Sequence, residues 1–455
     1  MSADETRVAV IGAGLAGLAA AHELRKAGLA VAVFERESVA GGRARSGDHE
    51  GLPLEPLSPV VSSADHALLA FIAEVGAQDA LLPIRPVLTA VVHGGRSVEV
   101  DPRRLLDFAR MPGVRVREAL RLVRLPRLLR RYGDQLALDA PEAGAALDDR
   151  SLADFGRLYF GRSVVDRWMG PFVTSGSLGD PEETSRVHFL RRHLTHFGAR
   201  RGLLRASLGE LAAISAGSSP VLFGANVRGL YALSGRPLVI EYLRNGKERN
   251  VEVDAVVLAV RADRARVIAA PLLTAGERDV LAGIRYTPAV TLCVRTCRPL
   301  SWHPLELRVP RVESGVAETL LLEPGMAGGR VPDGYGGATL HATGSWSATA
   351  LDASDDVLEK ELLEELERLH PGARAAVDFA RVLRAPLARP RFDVGHYRAI
   401  ERLMRIETER RAEGRRLVLA GDYRADPSWD GAVRSGRRAA RAVITDLGSP
   451  ARRAR

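Results

Sequence analysis

Val8 to Ile11 is a short unbroken apolar run, and Val31 to Phe34 is a second. Runs of this length without alternation predict strands buried on both faces, as in a parallel sheet. Between them, Gly12-Ala13-Gly14-Leu15-Ala16-Gly17 opens an apolar-rich helical stretch that reaches about Ala27 and is stopped by Gly28. Further apolar runs at Val253 to Val260 and at Arg416 to Ala420 predict two more strands. Thr291 to Val294 and Ala338 to Ala342 also read as strands. Residues 357–369 carry Leu358, Leu362, Leu366 and Leu369 at helical spacing, which predicts an amphipathic helix. The glycine-rich stretch Gly325 to Gly337 reads as a hairpin loop.

The first strand, loop, helix and second strand form a βαβ dinucleotide-binding pattern. Gly12 allows the tight turn, Gly14 lets backbone approach a pyrophosphate, and Gly17 lets helix and strand pack closely. The helix N-terminus faces the phosphate charge. Glu35, followed by Arg36, ends the second strand at the spacing of a ribose 2′-hydroxyl acceptor and would repel a 2′-phosphate. This loop does not separate NAD from FAD. Gly41-Gly42-Arg43-Ala44-Arg45 follows within a few residues. Its glycines allow close backbone approach and its arginines offer forks for phosphate oxygens, although a solvated surface turn has the same composition.

Composition adds bounds. The 455 residues exceed a single core, so two or three structural domains are expected. Hydrophobic residues at 46% and charged residues at 27% fit a globular enzyme. The net charge of +9 comes almost wholly from arginine, since lysine occurs only at Lys26, Lys247 and Lys360. Such a surface favours anionic partners. No aromatic-interleaved basic platform accompanies it, so nucleic acid is not an expected partner. Cys293 and Cys297 imply no disulfide framework; four apart on a predicted strand, they read as buried spectator thiols sharing a face. His188, His193 and His196 are interspersed with Arg191 and Arg192, which disfavours a metal there and leaves a substrate carboxylate as their alternative partner. The start of the chain lacks the pattern of a secretory signal, so a cytoplasmic location is expected. Residues 103–131 hold ten arginines with leucine and valine between them. That pattern suits either a peripheral contact with an anionic membrane or a solvated face on the substrate-binding part.

The stretch Val8 to Ser46 resembles the N-terminus of the flavin-containing amine oxidase superfamily, which includes protoporphyrinogen oxidases, carotenoid desaturases and amine oxidases. Arg416 to Asp422 followed by Pro427-Ser428-Trp429-Asp430-Gly431-Ala432-Val433 resembles the segment with which that superfamily closes its flavin site. Residues 149–185 and Pro390 to His396 resemble the protoporphyrinogen-oxidase branch. The resemblance implies an α/β (mixed α+β) fold. A Rossmann-like FAD-binding domain of the glutathione-reductase/amine-oxidase type would be built from residues 1–60, 205–275 and 395–447. A discontinuous substrate-binding domain, a mixed sheet with helices, would be built from 61–204 and 276–394, and 448–455 would form a disordered tail.

The resemblance implies noncovalent FAD held by Gly12, Ala13, Gly14, Leu15, Ala16, Gly17, Glu35, Arg36, Gly41, Gly42, Arg43, Val227, Gly421, Asp422, Trp429, Gly431 and Ala432. The expected activity is dehydrogenation of a bulky apolar substrate by hydride transfer to the flavin, with oxygen or a quinone as electron acceptor. Protoporphyrinogen-type oxidation leads, and carotenoid or isoprenoid desaturation follows. An amine oxidase or a non-catalytic flavin-binding protein stands further back. None of the three lysines lies where amine oxidases place theirs near flavin N5, and no catalytic acid or base is singled out. Leu54-Glu55-Pro56-Leu57-Ser58-Pro59 stands where the family has an acidic residue followed by Gly-Pro, so this wall of the site departs from the usual pattern.

Overall fold

The computed structural model describes residues 8–82, 85–99, 111–232, 238–326 and 329–448. Segments far apart in sequence build its central five-stranded sheet, in the order Val221–Leu222, Val31–Phe34, Val8–Ile11, Ala255–Leu258 and Leu417–Leu419. All neighbours are parallel. The strands are buried on both faces, as their unbroken apolar composition predicts. Helices Leu15–Lys26 and Trp429–Leu447 cover one face and cross closely. A Cβ on Gly436 would lie 2.0 Å from the Ala16 carbonyl oxygen, so only glycine permits that approach. The other face carries the antiparallel sheet Asn226–Ala232, Leu238–Arg244 and Lys247–Val253.

A seven-stranded mixed sheet forms the second layer system. Its order is Val377–Pro390, Tyr286–Thr296, Gly336–Ala342, Ala317–Pro324, Leu305–Arg308, Leu88–His93 and Arg96–Glu99. Alternate residues decide its two faces. Val290, Leu292, Val294, Leu320, Leu322 and Leu340 pack on helix Asp355–Leu369 through Leu358, Leu362, Leu366 and Leu369. The opposite face is buried but polar, with Thr291, Thr319, Glu306, Arg308 and His341 all under 9% exposed. The strands flanking the glycine-rich stretch, Ala317–Pro324 and Gly336–Ala342, pair antiparallel, as a hairpin requires; residues 327–328 of the stretch lie outside the described residues.

Three differences from the sequence reading have physical causes. Residues 61–82 were expected in the substrate-binding part, yet Val61, Leu68, Phe71, Ile72 and Leu81 share one core with Val8, Val10 and Leu18. Cys293 is buried, but Cys297 is exposed, because the long strand ends at Thr296 beside a register irregularity. The basic stretch, described from residue 111 onward, is three short helical pieces, Val116–Ala119, Leu120–Arg124 and Leu125–Arg131. Leu122, Leu125 and Leu129 are buried, while Val116, Leu120 and Val123 stand exposed among the arginines. Residues 103–110 and the expected tail from 449 lie outside the described residues. Among the described residues no helix is long and apolar enough to cross a membrane.

Candidate functional site

A cleft of about 340 Å³ opens at the carboxyl ends of the parallel strands. This is where open α/β sheets bind ligands, and the volume lies in the usual range of about 300–1,000 Å³. Gly12 turns the chain with φ +102°, and a Cβ there would lie 2.6 Å from the Ala259 carbonyl oxygen. Gly14 faces open space. Helix Leu15–Lys26 begins there without a side-chain cap, so its first N–H groups are left for a ligand. Gly41 approaches Gly14, its N–H donating to the Ala13 carbonyl at 2.8 Å. Gly41 and Gly42 have φ of +113° and +54°, so the double glycine is required by backbone conformation.

Of the seventeen residues expected to hold a cofactor, Gly12, Gly14, Leu15, Ala16, Glu35, Arg36, Gly41, Gly42, Arg43, Val227, Gly421, Asp422, Trp429 and Ala432 line this one cleft. Ala13, Gly17 and Gly431 stand behind it. Ala13 donates its N–H to Glu35 Oε2 at 2.7 Å, and Glu37 donates to Oε1 at 2.9 Å, which fixes the carboxylate at the end of the second strand. A Cβ on Gly17 would lie 1.9 Å from the Gly12 oxygen. Gly431 donates to Ser428 Oγ at 3.0 Å, capping the last helix.

The arginine fork of Arg43 is engaged by protein. Its two terminal nitrogens each donate to an Asp422 carboxylate oxygen at 2.8 Å, and one also donates to the Ala388 carbonyl at 3.0 Å. Burial works against the Arg43 charge, but Asp422 holds its pKa above the ordinary value. Arg45, read in sequence as a second phosphate fork, also lines the cleft, and so do Asn226, Arg261 and Arg264, which were not anticipated. Arg261 follows a parallel strand at its carboxyl end, the place where such sheets meet ligands, which was the available signal.

Beyond Trp429 the lining changes. The indole Nε1 donates to the Ser58 carbonyl at 3.1 Å, and the Arg389 guanidinium lies 4.1 Å from its ring centre. Leu57, Ser58, Ser175, Gly176, Leu178, Glu318, Thr319, His341 and Arg389 enclose a cavity of about 20 Å³. Glu318 also borders a second, outer cavity of about 210 Å³ with Asp166, Thr174 and Arg311. The departing segment 54–59 is held here by the polar sheet face. Pro56 accepts from Thr291 Oγ1 at 2.9 Å, and Glu55 pairs with Arg330, which also meets Glu323 at 3.0 Å.

Thr291 has one hydroxyl proton and gives it to Pro56. The 3.1 Å contact with His341 Nδ1 therefore needs the proton on Nδ1, leaving Nε2 an acceptor with no partner. Burial lowers the His341 pKa to about 4, so the ring is neutral. Burial raises Glu318 to about 7, and its Oε1 has no partner. His188 touches Asp426 at 3.5 Å, and His193 is packed among Trp168, Phe172 and Phe189. Among the described residues no cluster of three His, Cys, Asp or Glu side chains could hold a metal ion.

A dinucleotide cleft at the edge of a parallel sheet, continued past a tryptophan into a second, polar cavity roofed by a mixed sheet, defines a two-part cofactor-dependent oxidoreductase. The chain belongs to the family of flavin containing amine oxidoreductases, whose model matches residues 15–444. It is 28% identical over 183 residues to protoporphyrinogen oxidase 2, chloroplastic/mitochondrial, of Arabidopsis thaliana, covering 40% of this chain and 34% of that protein. It is 39% identical over 98 residues to the zeta-carotene desaturase of Synechocystis sp., covering 21% of this chain and 20% of that one. The chain thus spans about a third or less of these relatives' lengths. Among solved structures, putrescine oxidase bound to putrescine superposes with a TM-score of 0.74 at 19% identity, covering 97% of this chain and 99% of that chain. That likeness shows a shared fold. The chain has the mixed α/β architecture of that fold.

Proposed function

We propose that the protein binds FAD noncovalently and dehydrogenates a CH–NH or CH–CH group in the manner of a protoporphyrinogen oxidase. The observation that carries this is the convergence on one cleft of the Gly12–Gly17 turn, the Gly41–Arg43 loop and the Gly421–Ala432 segment. A dinucleotide fits that donor set: uncapped helix N–H groups and open glycine backbone for the pyrophosphate, and the fixed Glu35 carboxylate for a ribose hydroxyl. When bound, the flavin supplies the hydride acceptor. The start of helix Trp429–Leu447 offers positive partial charge beside the cleft, which favours an anionic reduced cofactor. Trp429, held by Ser58 and Arg389, stands between the cleft and the inner cavity. The exposed Val116, Leu120 and Val123 among arginines would carry the protein to an anionic membrane surface, where an apolar substrate and a quinone acceptor are available.

The test is anaerobic mixing of purified protein with protoporphyrinogen IX while flavin absorbance is followed. Bleaching that reverses with oxygen is expected. A flavin band that stays unbleached would overturn the porphyrinogen reading and turn attention to isoprenoid donors, and a preparation that never retains flavin would overturn the cofactor reading.

A further inference from the structure

Helix Trp429–Leu447 carries a feature that the cofactor cleft does not use. Gly436, Ala439, Ala440 and Val443 are buried along one side of it. Arg434, Arg438 and Arg441, spaced four and three residues apart, share another face. They line a recess of about 390 Å³ together with Leu138, Asp139 and Pro141. The recess and the cofactor cleft have no lining residue in common. With Arg437 the recess has four arginines, and among the described residues Asp139 is its one carboxylate.

The arginines are unequally satisfied. Arg437 meets Glu23 at 3.3 Å and Glu74 at 2.9 Å. Arg434 is held by Asp430 at 2.7 Å; its other partner, Asp139, has a side chain 83% exposed, so water competes for that pair. Arg438 gives one N–H to the Arg424 carbonyl at 3.2 Å, and Glu142 stands 3.7 Å away, too far for a hydrogen bond. Burial and the neighbouring Arg424 charge lower the Arg438 pKa to about 10, so it stays protonated at neutral pH. Arg441 is exposed, and among the described residues its guanidinium has no hydrogen bond or ion pair. Arg438 and Arg441, one turn apart, thus present donors that the recess leaves largely unused.

We propose that this recess is a second anion site that takes a soluble organic diphosphate: Arg438 and Arg441 grip the phosphates, Arg434 exchanges Asp139 for them, and Leu138, Pro141 and Ala425 lie against the organic part. Seven residues of helix span about 10 Å, so long side chains from two turns converge on adjoining phosphates. A tetrahedral phosphate offers oxygens to several arginine forks at once, whereas one fork satisfies a planar carboxylate. A recess of this size suits a dissolved molecule better than the flat face of a bilayer. The site goes beyond the oxidoreduction proposed above and does not depend on it.

The experiment titrates flavin-loaded protein, freed of excess FAD, with inorganic pyrophosphate and with orthophosphate by calorimetry at physiological salt, which screens scattered surface charge. Pyrophosphate should bind saturably and about tenfold more tightly than orthophosphate. Arg441→Glu, at an exposed residue without partners, should weaken pyrophosphate about tenfold or more with flavin content unchanged, and Arg438→Gln should do the same. Asp139→Asn removes the competing carboxylate and should tighten binding severalfold. Arg121→Gln combined with Arg124→Gln changes the net charge as much as Arg441→Glu does, at exposed residues of the basic stretch, and should leave the affinity as it was. No saturable binding, an affinity indifferent to Arg441→Glu, an equal loss in the Arg121 and Arg124 variant, or no gain in Asp139→Asn would each overturn the proposal. Vesicles of phosphatidylcholine and phosphatidic acid that bind through Arg441 while pyrophosphate does not would overturn it in favour of a lipid headgroup.

Discussion

Glu318→Gln isolates one buried carboxyl whose titration should be visible in stability. Glu318 is 5% exposed, at a register irregularity between Ala317 and Thr319, and borders both inner and outer cavities. Burial is the main cause that raises its pKa from 4.5 to about 7; Thr174 and Arg311 oppose the rise and Asp180 adds to it. Because the folded state holds the proton more tightly than the unfolded chain, the carboxyl contributes nothing adverse below pH 4.5. Stability is lost as pH climbs from 4.5 through about 7. The gap of about 2.5 pKa units corresponds to on the order of 3 kcal/mol at 1.36 kcal/mol per unit. Glutamine has the same shape and no charge to bury, so the variant should match the parent at pH 4.5 and exceed it above pH 7. At about 2.1 cal/mol/K per residue, an unfolding entropy for this chain of about 1 kcal/mol/K makes the difference about 3 °C. The assay is thermal unfolding of both proteins across this pH range at fixed flavin saturation. Parallel curves would refute the reasoning, because they would mean that Glu318 ionises without penalty.

Two further outcomes test other parts of the structure. Asp422→Ala leaves the partly buried Arg43 fork without its carboxylate and should cost about 1–3 kcal/mol, with Asp422→Asn recovering part; chemical denaturation reads it, and an unchanged midpoint for the alanine variant would sink the idea that the pair braces the cleft. Cosedimentation with anionic vesicles should fall as salt rises and should weaken when Leu120 and Val123 are replaced by serine; salt-independent binding or none would assign the exposed arginines to solvation alone.

What was legible in the sequence is what local chemistry dictates. Val8–Ile11 and Val31–Phe34 announce themselves because strands covered on both faces need unbroken apolar residues. Gly12, Gly17 and Gly41 are readable because turn and close packing demand the absence of a side chain. Leu358, Leu362 and Leu366 follow from helical period. What stayed hidden depends on partners brought together by the fold. Nothing near Arg389 in the chain says that it lies over the Trp429 ring, since the two meet only in space. The His341 proton is assigned only through Thr291 and Pro56, from two other segments. The polar face of the seven-stranded sheet was obscured because its residues alternate with a conventional apolar face. Residues 61–82 joined an unexpected core because helix His66–Glu74 offers an apolar side that the parallel sheet's covering helices can use.

The strand order of the parallel sheet has a consequence for the birth of the protein. The strand at 8–11 lies between those at 31–34 and 255–258, and the last neighbour, 417–419, is made long after all three. At about 5–20 residues per second, the first apolar strands wait for on the order of a minute with an open edge before the sheet can close. A nascent chain of this design needs shelter during that interval, and the cofactor cannot template the early half, because Asp422 and Trp429 do not yet exist. Flavin supply should therefore govern the yield of finished protein after release, and leave the fate of ribosome-bound chains to chaperones.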